Sequence, residues 1–159
     1  MGVIAEPLSS AAFSRFGEVV EHAGRERRRM IPGATTCAEK ASAAQLWVSL
    51  FDVPAVLPLT ISKLERHRFS PQTFIPPEVS RYLVTVAPAD ASGRPILSEV
   101  RAFIVGSERG VVYRRGVWHS GMTVLDRPGR FAVLFWSTGD ALADDEFLEL
   151  DAPFEVAEA

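Results

Sequence analysis

The stretch Leu59-Thr60-Ile61-Ser62-Lys63-Leu64-Glu65-Arg66-His67-Arg68-Phe69 decides how the rest of the chain is read. Its mixture of apolar, β-branched and polar residues predicts a strand, along which successive side chains point to opposite faces. Leu59, Ile61, Lys63, Glu65, His67 and Phe69 then share one face. Thr60, Ser62, Arg66 and Arg68 share the other, with Leu64 the exception. The first face begins apolar and ends in a carboxylate and an imidazole. Burying those two groups is costly unless they are paired, hydrogen-bonded or bound to a metal. The segment predicts a strand that carries chemistry at one end.

Further β-rich runs lie on either side, at residues 46–53, 82–87, 100–105, 111–115, 117–125 and 131–136. Turn formers separate them, among them Pro54, Pro76-Pro77, Ser92-Gly93, Glu108-Arg109-Gly110 and Pro128-Gly129. Many short strands with little helical periodicity predict an all-β sandwich or barrel. One short N-terminal helix is expected, capped by Ser9-Ser10, packing through Phe13 and Phe16, and closed by Gly17. Residues 25–44 and the acidic stretch from Ala141 onward are the least patterned. At 159 residues the chain is expected to form a single domain over 1–159.

Composition narrows the function. Apolar residues make up 47% and charged residues 23%, with no apolar run long enough to span a bilayer, so a soluble protein without membrane association is expected. The opening MGVIAEPLSSAAF lacks a basic segment followed by an apolar one, which points to the cytoplasm. A net charge of −3 argues against nucleic acid as a partner. The run Arg25-Glu26-Arg27-Arg28-Arg29 reads as a solvated loop, or as the source of an inward-folded arginine that clamps a carboxylate. Cys37 is the only cysteine, which excludes an intrachain disulfide and a cysteine-based zinc site.

Two of the three histidines fall at informative places. Glu65, His67 and Gln72 have the spacing of the first cupin motif, in which two ligands alternate on one strand and a third follows the turn. Gly116-Val117-Trp118-His119 is similar to the Gly-x-x-His ending of the second cupin motif. His22 is read as having no such role. The resemblance implies a cupin-type double-stranded β-helix, or jelly-roll barrel. Glu65, His67, Gln72 and His119 form an O/N donor set that suits a divalent metal such as nickel, zinc or manganese.

The chain also resembles the ureidoglycolate lyases, on Leu64-Glu65-Arg66-His67, Gln72-Thr73-Phe74-Ile75-Pro76, the run Tyr82 to Pro88, Arg101-Ala102-Phe103-Ile104 and the run Gly110 to His119. The opening Pro7-Leu8, Phe13 and Phe16-Gly17-Glu18-Val19 is similar too. The resemblance implies a homodimer that splits ureidoglycolate into glyoxylate and urea in purine ureide degradation. Departures from the family pattern stand at Arg114, at Ser120-Gly121, at Trp136-Ser137 and at Pro32-Gly33. They keep open a divergent cupin acting on another 2-hydroxy or ureido acid, and a non-catalytic module that binds a small carboxylate.

Cleavage of such a carbinolamide needs one proton removed from its hydroxyl and one delivered to the leaving nitrogen. His67 and His119 are candidates, since an imidazole ordinarily titrates near ~6.5. If they ligate a metal they cannot also act as bases, and Glu65 or Lys63 becomes the proton carrier. Arg115 or Lys63 can hold the substrate carboxylate, and Gln72 and Tyr113 complete the expected substrate contacts.

Overall fold

In chain order the computed structural model, which describes residues 2–159, runs β1 (Gly2–Pro7), α1 (Ser10–Phe13), β2 (Gly17–Val20), β3 (Ala43–Phe51), β4 (Leu59–His67), β5 (Gln72–Glu78) and β6 (Arg81–Ala87). It continues through β7 (Arg101–Gly106), β8 (Gly110–Tyr113), β9 (Trp118–His119), β10 (Thr123–Leu125), β11 (Gly129–Ser137), α2 (Ala141–Asp144) and β12 (Asp145–Glu158). The fold is the expected all-β barrel with a short N-terminal helix. That helix is a single turn: the Ser9 hydroxyl accepts from the Ala12 N–H at 3.2 Å, and Phe13 is fully buried. Gly17 opens β2 rather than closing the helix.

Two sheets form. The larger has the order β10-β6-β7-β1-β12-β4-β9, and β9 also pairs with β6, so its strands close on themselves. The smaller has the order β2-β8-β5-β11-β3. One apolar cluster, with Tyr82, Val84, Phe103, Phe74, Val111 and Phe131, lies between the two sheets. The second, with Ile61, Leu64, Leu83, Trp118, Phe154 and Val156, draws on the strands of the larger sheet and fills the other side of it.

The strand β4 does not keep one alternation from end to end. Ile61 and Leu64 both point into the second cluster, so the phase changes between them. The partner strand explains this: Lys63 pairs with Glu149 while Ile61 pairs with Phe154, a register shift that places four residues of β12 opposite Ser62 alone. A bulge of this kind re-aims the side chains beyond it. Leu64 therefore points into the second cluster and Glu65 and His67 point the other way.

Three other expectations changed for long-range reasons. Pro76-Pro77 lies inside β5, at a bulge where the two prolines face Phe131 alone, a position that tolerates a missing N–H. The run 117–125 splits into β9 and β10, both of which pair with β6. The acidic stretch after Ala141 contains the 14-residue β12, which pairs with β1 on one side and β4 on the other. Arg29 does turn back onto the fold, but it donates to the carbonyls of Val19 and Glu21.

The strand β3 forms one edge of the smaller sheet and, among the described residues, is hydrogen-bonded only to β11. It carries no charged residue, and Leu46, Val48 and Leu50 are more than half exposed.

Candidate active site

The strands β4 and β9 are antiparallel neighbours with Glu65 directly opposite His119, and His67 lies two residues along the same face as Glu65. Donor atoms of Glu65, His67 and His119 all come within 4.8 Å of one another. The two imidazole centroids are 5.4 Å apart. From the smaller sheet, Tyr113, Gln72 and Phe135 form a cross-strand row, Gln72 being opposite both others. Tyr113 stacks on His119 at 4.2 Å with the rings 16° from parallel, and Phe135 meets His67 edge-on at 5.0 Å. The site lies where the two sheets face each other.

Each imidazole has one nitrogen satisfied and one left over. His67 Nδ1 lies 2.9 Å from Asp145 Oδ1, and His119 Nδ1 lies 3.0 Å from the Val117 carbonyl. Both acceptors favour the Nδ1–H tautomer, which leaves the Nε2 lone pairs free. Among the described residues, both Nε2 atoms are buried without a hydrogen-bond partner, and so is Gln72 Oε1. Glu65 Oε1 lies 3.4 Å from His119 Nε2, a close approach that does not satisfy the nitrogen as a hydrogen bond. Buried polar atoms are rarely left in this state without a ligand or water between them. Nε2 atoms turned inward, with Nδ1–H groups held from outside, are the arrangement of metal-ligating histidines. The donor set is compatible with a divalent metal.

Charge and burial act together here. Burial works to raise the Glu65 carboxyl, but His119, then His67 and Lys63, outweigh it and hold the group below its ordinary value. Burial and the neighbouring His119 lower His67, against the raising effect of Asp145 and Glu65. Burial, followed by the Glu65 charge, pushes the Tyr113 phenol well up. At neutral pH the site therefore holds an ionised Glu65, an uncharged His67 and an uncharged Tyr113.

Glu65, His67 and His119 thus come together, with Gln72 and Tyr113 beside them. Lys63 lies at the open flank, half exposed, 3.7 Å from Glu149 and with its ammonium over the Phe147 ring. Arg115 is placed apart. It is exposed and lines a cavity of about 360 Å³ with Arg114, Glu18, Gly33 and Thr36. Glu18 pairs with Val112, which alternates away from Tyr113, so this cavity opens on the other side of β8.

The departures noted in the sequence have structural partners. Arg114 donates to the carbonyls of Ser14 and Arg15 behind α1, and the Trp136 indole donates to the Ala34 carbonyl at 2.8 Å. The Ser120 N–H donates to the Thr85 carbonyl, and the Gly33 N–H donates to Glu18 Oε1. Two residues that touch the site were not singled out from the sequence, Asp145 and Phe135. Phe135 sits in a predicted strand, so its face was readable. Asp145 lies in an acidic stretch with no local pattern.

Known proteins match this chain along nearly its whole length. The family model described as ureidoglycolate lyase matches residues 1–157. A ureidoglycolate lyase of Azotobacter vinelandii is 37% identical over 154 residues, covering 92% of each chain. One from Pseudomonas fluorescens is 32% identical over 157 residues, covering 94% of this chain and 93% of that one. One from Pseudomonas aeruginosa is 33% identical, covering 92% and 90%. A solved structure of RmlC from Streptococcus suis with dTDP-D-xylose has a partial likeness, with a TM-score of 0.44 and 14% identity over 59% of this chain and 44% of that one. On the match along its length, this chain belongs to the ureidoglycolate lyase family.

Proposed function

We propose that this chain cleaves ureidoglycolate to glyoxylate and urea, with Glu65, His67, His119, Gln72 and Tyr113 as its active site. The observation that carries the reading is the convergence of three donor residues whose two buried Nε2 atoms lack partners. In the reaction the carbinol hydroxyl loses its proton and its oxygen becomes the aldehyde carbonyl. The carbon–nitrogen bond breaks with its electron pair on nitrogen, which takes up a proton and leaves as urea.

Glu65 suits the first transfer, because it is ionised at neutral pH and one quarter of its side chain is exposed. One carboxylate oxygen faces His119, leaving the other to receive the hydroxyl proton. Lys63 stands on the same flank and supplies an ammonium for the substrate carboxylate or a proton for the leaving nitrogen. Arg115, on the cavity beside Glu18, is placed away from this chemistry. Tyr113, uncharged and packed on His119, offers a hydroxyl donor. The nitrogen and oxygen donors of His67, His119, Glu65 and Gln72 fit nickel, zinc or manganese. When bound, such an ion supplies Lewis acidity toward hydroxyl and carboxylate oxygens.

The uncharged edge strand β3, with Leu46, Val48 and Leu50 exposed, supports a homodimer in which a second copy covers it. The protein is expected to work in the cytoplasm; among the described residues no helix is long and apolar enough to cross a membrane. The test is release of glyoxylate and urea from ureidoglycolate. Wild type is expected to turn over at least ~100-fold faster than His119→Ala, the scale of a lost acid–base or ligand group. Equal rates for the two would remove the lyase reading.

A further inference from the structure

The face of His67 that points away from the site is held by a short strap of chain from the far end of the sequence. Asp145 is the first residue of β12 and pairs directly with His67 across the β12–β4 ladder, with its Oδ1 2.9 Å from His67 Nδ1. Asp144, immediately before it, is almost fully buried and anchors the turn that follows His67. Its carboxylate accepts from the Phe69 N–H at 2.6 Å and from the Ser70 hydroxyl, and its carbonyl accepts from the Arg68 N–H at 3.3 Å. Two adjacent aspartates thus do separate work. One holds the backbone of Arg68–Ser70 and the other meets the imidazole.

We propose that Asp145 is a positioning residue: it accepts the Nδ1 proton of His67 and so fixes the ring's tautomer and orientation, with Nε2 aimed into the site, while Asp144 holds the backbone that brings the pair into register. This rests on the reading of His67 as a site residue. A neutral imidazole carries one N–H, and the hydrogen bond made by one nitrogen decides which nitrogen keeps its lone pair. The Phe135 edge against His67 limits ring rotation but cannot choose the tautomer, since it offers no acceptor. Asp145 is the acceptor that Nδ1 meets. Carboxylates in this relation to a ligating histidine raise its basicity as well as orient it.

The test is nitrogen-15 NMR of the intact protein labelled in its histidine rings, where three imidazoles make assignment direct. In wild type His67 is expected as the Nδ1–H tautomer. In Asp145→Ala that tautomer should lose its dominance, and in Asp145→Asn, whose amide oxygen can still accept, it should return. Zinc affinity, measured by calorimetry on protein stripped with a chelator, should fall ~10–100-fold in Asp145→Ala and recover in part in Asp145→Asn. A wild-type His67 protonated on Nε2 overturns the proposal without any variant, as does an unchanged tautomer in Asp145→Ala. If wild-type protein shows the predicted tautomer but releases no urea, the lyase reading fails and the role of Asp145 stands.

Discussion

His67 and His119 face each other at 5.4 Å between ring centroids, and each gives Nδ1 to an acceptor outside the site while its buried Nε2 has no partner. The two acceptors differ in kind. His119 is held by a backbone carbonyl two residues away, a local arrangement, whereas His67 depends on a carboxylate 78 residues along the chain.

Two unpaired nitrogens beside a carboxylate predict metal-dependent stability. Adding nickel or zinc to chelator-treated protein should raise its melting temperature, since a ligand at about 100 times its Kd stabilises the fold by ~2.7 kcal/mol. His67→Gln and His119→Gln should each abolish most of that rise in thermal scans. A wild-type protein indifferent to both ions would count against a metal site.

Acid should weaken the fold in two stages. The unfolded chain protonates His67 near its ordinary 6.5, whereas the folded chain does so only at a lower pH. The unfolded state therefore binds more protons in that window, and stability declines as pH falls below 6.5 toward the lowered value. Glu65 has a folded value below its ordinary 4.5, so its contribution is present above 4.5 and is lost as pH falls through the lowered value. Urea midpoints of metal-free protein from pH 8 to 2 would trace both. His67→Gln should flatten the upper stage and reduce the lower one, since His67 is among the groups that lower Glu65.

Tyr113 stacks on His119 and is buried, so Tyr113→Phe keeps the ring and removes only the hydroxyl. The expected outcome is a KM raised ~3–10-fold, the scale of one hydrogen bond, with the fold unchanged by circular dichroism. Tyr113→Leu also removes the stacking surface and should lower kcat. Identical kinetics for wild type and Tyr113→Phe would withdraw the hydroxyl from substrate binding.

The apolar edge strand predicts an assembly that charge disrupts. Leu46→Asp combined with Val48→Lys should shift the protein from dimer to monomer in sedimentation velocity, because charges on an edge strand oppose pairing. A wild-type monomer at micromolar concentration would exclude the homodimer.

What the sequence by itself determined is local. Alternation and motif spacing singled out Glu65, His67, Gln72 and His119 as a candidate site, because a strand's two-residue period and a motif's spacing are properties of neighbours in the chain. The all-β class followed from the same short-range signals. The tertiary structure alone decided the rest, because it depends on which distant segment pairs with which. The bulge that separates the phase of Ile61 from that of Lys63 is set by β12, and the tolerance of Pro76-Pro77 within β5 is set by β11. Arg115 closes a predicted strand in sequence yet lies apart from the histidines, on a cavity with Glu18. Asp145 had no pattern to reveal it, because only the antiparallel register of β12 with β4 brings it opposite His67.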